Sequence, residues 1–171
     1  MPSIVPGDVA AGVVRSSSVM AMGTPYSRRL VLSPAPIDRQ SYDAAMIEIR
    51  PADIAAPAAN YAHAVLTERP QRWLHTSGVV PIASDGSTPV SMADQATAVW
   101  TNIWSMLRDA AMTPSDIVSV TTYVVVGEDL APVMAARDAA LGEHRAASTL
   151  VTVPALARPE WRMEVAVVAA R

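Results

Sequence analysis

The sequence predicts an α+β layer sandwich in the order β-β-β-α-β-α-β-β, with both helices on one face of the sheet. Three observations carry that prediction. Ala96, Val99, Trp100, Ile103, Leu107 and Ala110 recur at helical spacing and make one apolar stripe. Residues 118–126 are continuously apolar and β-branched, the pattern of a central strand covered on both faces. The C-terminal stretch holds two short β-rich runs, 149–153 and 161–168, around a loop marked by Pro154 and Pro159.

Residues 1–45 read differently from the rest. They hold several Pro and Gly, a Ser triplet at Ser16, Ser17 and Ser18, and no sustained period. They are expected to form a poorly ordered extension, or to precede a true start at Met46. Within them only Arg29-Leu30-Val31-Leu32 suggests a brief strand. Met46 opens Ile47-Glu48-Ile49-Arg50, the first strand of a single folded domain over residues 46–171.

A second strand is expected over 60–67, with Tyr61, His63, Val65 and Thr67 on one face. A third runs over 72–80, after a break at Arg69-Pro70, and Ser84-Asp85-Gly86-Ser87 supplies turn chemistry behind it. The first helix is predicted over 91–112, opened by Ser91 with Asp94 in a capping box. Its Trp100 and Trp104 read as packing residues rather than as a platform for stacked bases. Thr113-Pro114-Ser115-Asp116 reads as an N-cap and a single turn. A second helix is predicted over 128–141, with Leu130, Val133, Met134 and Leu141 inward and Gly142 as its C-terminal cap. In the last strand Trp161, Met163, Val165 and Val167 share one face, and Arg162, Glu164 and Ala166 share the other.

Composition narrows the chemistry. The 171 residues suffice for one domain with a real core; 51% are hydrophobic and 17% charged. A net charge of −3 provides no electrostatic footprint for nucleic acid. No apolar run is long enough to span a bilayer and no secretory signal is evident, so a cytoplasmic protein is expected. There is no Cys, and all 13 basic residues are Arg, which excludes thiolate nucleophiles, disulfides and Schiff-base lysines. His63, His75 and His144 match no metal-ligand spacing, and no metal or cofactor is expected.

Three segments together resemble one family. Asn60-Tyr61-Ala62-His63-Ala64-Val65 is similar to "GPYSQAV", Thr76-Ser77-Gly78-Val79-Val80-Pro81 to "VSGQIP", and the C-terminal stretch to the "PARS" strand and "VEIEAIA" strand of the RidA/YjgF (Rid) enamine/imine deaminases. The resemblance covers roughly residues 51–171 in the right order. It implies a RidA-like (chorismate mutase-like) fold with a mixed sheet and a homotrimer, with a small-molecule ligand in clefts between subunits. An apolar open sheet face needs a partner, which independently suggests a homo-oligomer.

The resemblance also implies a site. Deaminating members grip a substrate carboxylate with an arginine, and a tyrosine and a glutamate place water or move protons. By position the tyrosine is Tyr61 and the glutamate Glu164, as catalytic candidates; Ser77, Gly78, Ser148 and the backbone of Leu150 are the substrate-binding candidates. Two positions depart from the family. Ser148 stands where the arginine is expected, within Ala146-Ala147-Ser148-Thr149, and Met134 stands for an asparagine on the second helix. Losing the charge-assisted contact would weaken a carboxylate by about 1.5–3 kcal/mol; Arg145, three residues upstream, starts from a different backbone position.

Each candidate has a plain structural reading. Tyr61 can serve as an interface aromatic, Glu164 can pair with Arg162 or Arg145, and Gly78 can relieve a strand kink. The expected function is therefore a Rid-like hydrolase of a small imine, enamine or related C–N compound, distinct from the standard 2-aminoacrylate deaminase. The alternative is a non-catalytic trimeric small-molecule-binding or protein-interaction module. A ribonuclease gains nothing from an acidic chain without a basic patch.

Overall fold

The computed structural model describes residues 45–171. The expected N-terminal extension and its brief strand lie outside the described residues, apart from Ala45, which opens β1. β4 (Ile117–Val125) is central: it pairs parallel with β5 (Ala147–Val153) and antiparallel with β6 (Met163–Ala170). β6 also pairs antiparallel with β3 (Trp73–His75), giving a mixed sheet in the order β3-β6-β4-β5. β1 (Ala45–Ile49) and β2 (Ala64–Glu68) form a separate antiparallel ribbon. The ribbon joins the sheet where Ala62 bridges Ala147, its amide donating to the Ala146 carbonyl at 3.0 Å.

Helix α1 (Met92–Asp109) begins where Ser91 Oγ accepts the Asp94 amide at 3.0 Å, and the Asp94 carboxylate in turn accepts the Ser91 hydroxyl at 2.6 Å. Its Ala96, Val99, Trp100, Ile103 and Leu107 are buried against Val120 and Val124 of β4 and Met163, Val165 and Val167 of β6. Each large side chain so buried stabilises the fold by roughly 1.5–3 kcal/mol. Helix α2 (Ala131–Leu141) adds Val133, Ala140 and Leu141 to the same core. Both helices therefore cover one face of the sheet. Gly142 ends α2 at φ +61°, a conformation that favours glycine.

Four expectations need correction. α2 starts at Ala131 rather than residue 128, because Gly127 at φ +92° turns the chain and the Asp129 carboxylate caps the Ala131 amide at 2.9 Å. The strand expected over 60–67 begins only at Ala64; Tyr61 and His63 precede it. The strand expected over 72–80 is interrupted between His75 and Val79. Trp104 is 44% exposed and lies off the packed stripe of α1.

One buried polar residue organises the loops around β6. Gln95 donates through Nε2 to the Pro89 and Glu160 carbonyls, both at 2.8 Å, and its Oε1 accepts the Arg162 amide at 3.0 Å. A buried amide this well satisfied holds the entry of β6 onto α1. No helix of the described residues is long and apolar enough to cross a membrane.

Candidate functional site

Alternation along β6 sorts its residues into two rows. Met163, Val165, Val167 and Ala169 are buried under the helices, while Glu164, Ala166 and Val168 are half-buried on the opposite, open face. Cross-strand pairing sets Glu164 opposite Tyr123 of β4, and Tyr123 opposite Val151 of β5. Thr121, paired with Ala166 and with Thr149, lies one step along the same face. Glu164 is the one charged side chain in these rows.

Gly78 explains how Glu164 is held. His75 pairs with Val168, and Val79 with Val165, so four steps along the β3 side oppose three along β6 and one residue is extra. The Val79 amide and carbonyl both bond Val165, at 2.7 and 3.1 Å, which re-anchors the chain after the bulge. A Cβ on Gly78 would lie 1.5 Å from Glu164 Oε1 and 2.7 Å from Glu164 Cγ. Glycine there permits this close approach of Glu164 and is not required by a positive φ.

The carboxylate lying over Gly78 has no hydrogen bond or ion pair among the described residues. Both expected partners are engaged elsewhere. Arg162 pairs with Glu128 at 3.2 Å and also donates to the Val90 carbonyl. Arg145 Nε donates to Asn60 Oδ1 at 3.2 Å.

The remaining candidates fall in three places. Ser77 is exposed beside Gly78, at the bulge next to Glu164. Ser148 and Leu150 pair with Val120 and Thr122, both buried on the helix-covered face. Their neighbour in that row, Ala146, belongs to the core, and Leu150 packs against it. The Ser148 side chain is thus not brought together with Glu164; the open-face positions at the start of β5 are Ala147 and Thr149. Tyr61 sits beside Ala62, which bridges Ala147, and its ring meets His63 edge-on at 5.7 Å and 84°. Ala147 pairs with Ser119, four residues along β4 from the Tyr123 that faces Glu164. Tyr61 and Glu164 are therefore separated by about 13 Å along the strand within one protomer. Met134 is half-buried on α2, away from the open face.

Sequence reasoning missed Tyr123, although its odd position in a strand whose even positions are core residues is a usable signal. It also missed Gln95, whose role depends on two distant loops. Among the described residues no group of three or more acidic or histidine side chains is placed to hold a metal ion.

Comparison with known proteins agrees with this architecture. Residues 52–171 match the family model Ribonuc_L-PSP, described as endoribonuclease L-PSP. None of the curated proteins matches the chain. Among solved structures, a Yersinia pestis protein of unknown function, YyfB of the conserved Rid family, is 30% identical with a TM-score of 0.67, over 74% of this chain and 98% of that one. The Escherichia coli YjgF gene product is 28% identical with a TM-score of 0.55, over 68% of this chain and 91% of that one. Escherichia coli TdcF with bound serine, at 22% identity and a TM-score of 0.55, shares the fold over 69% of this chain and 91% of that one. With the model match spanning most of the chain and the sheet, helices and Glu164-bearing strand arranged as described, the chain belongs to the Rid/YjgF family.

Proposed function

We propose that the protein is a Rid-like hydrolase of a small imine, enamine or related C–N compound, in which Glu164 handles the water and the substrate is not held by an arginine. The observation that carries this reading is the unpaired Glu164 carboxylate lying over Gly78 on the open sheet face. A carboxylate without an ion-pair partner is free to accept a proton from water as that water attacks the C=N carbon. The nitrogen takes up a proton, the tetrahedral carbinolamine collapses, the C–N bond breaks, and ammonia leaves a carbonyl product. The Tyr123 hydroxyl, on the neighbouring strand, is suited to orient water or the leaving nitrogen. Tyr61 lies too far along the strand to join its own Glu164, so in this reading it acts in the cleft of a neighbouring protomer. A homotrimer supplies such a cleft, and light scattering at micromolar protein that gives the monomer mass would remove this part of the proposal.

In this reading the arginine position is taken on the open face, one residue before Ser148. The motif "PARS" then falls on Arg145-Ala146-Ala147-Ser148, with Ala147 in the arginine position on the open face. Neither Ala147 nor Thr149 offers a paired, charged grip, which favours substrates without a carboxylate. TdcF, with its bound serine, is an instance of this fold holding a small polar molecule.

A coupled assay tests the reading. Imines generated with and without a carboxylate are offered to the wild type, Glu164→Gln and Ala147→Arg. We expect wild-type turnover on the carboxylate-free imines, at least 100-fold loss in Glu164→Gln, and gain on 2-aminoacrylate in Ala147→Arg. No turnover of any imine by any of the three would overturn the hydrolase reading and favour a binding module using the same face.

A further inference from the structure

A second cleft opens away from Glu164, between β1, the loop at 51–57 and Arg145. It encloses about 230 Å³. Ile49, Ile54, Ala56 and Pro57 provide apolar walls, and His63 and Arg145 provide a polar end. Its charges do not balance. Glu48 pairs with Arg50 and also interacts with the Arg145 charge, so in the lining one carboxylate faces two guanidiniums and the balance is positive. Arg145 uses only Nε, toward Asn60, so its two terminal nitrogens have no partner among the described residues.

We propose that this cleft is a ligand site for a small carboxylic acid with a short apolar body. The guanidinium edge of Arg145 takes the carboxylate, for which its terminal N–H groups are suited. The apolar walls take the body. His63 Nε2 lies 2.8 Å from the Ala55 carbonyl, which can only accept, so that nitrogen carries the hydrogen. With the hydrogen on Nε2, the Nδ1 edge is left to face a polar group on the ligand. The volume suits roughly seven or eight non-hydrogen atoms at about 30 Å³ each. That is a metabolite-sized acid, smaller than the occupant of a drug-sized pocket. This site is independent of the hydrolase reading, which rests on Glu164.

The test is titration of the full chain with butanoate, hexanoate and octanoate, read by calorimetry and by amide chemical shifts. Hexanamide and hexylamine serve as the uncharged and cationic counterparts. We expect saturable binding that strengthens from butanoate to hexanoate, with shifts at Ile49, Ile54, His63 and Arg145 and none at Tyr123 or Glu164. Hexanamide should bind roughly tenfold or more weakly, and Arg145→Gln should weaken hexanoate to the same degree, with Arg145→Lys keeping part of the affinity. Ile54→Asp, at an exposed loop position, should abolish hexanoate binding without touching Arg145. The proposal is overturned by hexylamine or hexanamide matching hexanoate, by undiminished binding in Arg145→Gln, by shifts centred on Glu164, or by no saturable binding at all.

Discussion

The two faces of the β4–β6 pair are built from the same backbone and the same alternation, yet they do different work. On the covered face Val120, Val124, Met163, Val165 and Val167 are sealed beneath α1 and α2. On the open face Thr121, Tyr123, Glu164 and Ala166 stay half-buried and mostly polar or small. The covered face supplies stability, and the open face can then carry an unpaired carboxylate that the core could not tolerate. The contrast teaches that a charged residue in an apolar strand should be judged by the row it joins, not by its sequence neighbours.

The sharpest way to break the comparison is to attack the covered face. Ile103→Ala, at a fully buried position of α1, should lower unfolding free energy by about 3 kcal/mol, read from urea denaturation. A loss below about 1 kcal/mol would mean the two faces are not energetically distinct. Gln95→Leu should cost about 2–3 kcal/mol, since it orphans the Pro89 and Glu160 carbonyls and the Arg162 amide. It should also slow imine hydrolysis, because β6 loses the tie that sets its entry.

Arginine scanning of β5 sharpens the comparison further. Ser148→Arg forces a cation toward the helix layer and should cost about 1–3 kcal/mol, whereas Ala147→Arg, facing the open side, should stay within about 0.5 kcal/mol of wild type. Equal melting temperatures for the two variants would contradict the register of β4 and β5. Gly78→Ala should cost only about 1 kcal/mol of stability, because the Glu164 side chain can rotate away from the new methyl. Its activity should nevertheless fall toward that of Glu164→Gln, which separates positioning from folding.

Acid should act in one direction at the turn after β3. The Asp85 carboxyl lies below its ordinary range because the Ser87 hydroxyl and amide donate to it. A depressed folded-state pKa contributes stability above the unfolded value and loses it as pH falls through the folded one. The small stability difference between wild type and Asp85→Asn should therefore shrink on acidification. A difference that grows would reverse the assignment.

Much of the fold was legible in local pattern. Ser91 and Asp94 marked the start of α1, Gly142 the end of α2, and the uninterrupted 118–126 run the central strand observed one residue earlier, because caps and periodicity are local physics. The start of α2 was misread because Glu128 and Asp129 look like first-turn acids. In the fold one pairs with Arg162 and the other caps the helix from outside. Trp104 was misread because it lies near the helical stripe without belonging to it.

By itself the sequence determined the element order, the family, the polar row of β6 and the absence of Cys and Lys chemistry. The tertiary structure alone decided that Gly78 is small to admit Glu164, that Ser148 faces the helices and that Tyr123 stands beside the carboxylate. Strand register and the bulge between His75 and Val79 set those neighbours. A shift of one residue in register exchanges the two faces of a strand, and for β5 that choice is made by its partner strand and the helix layer it packs against.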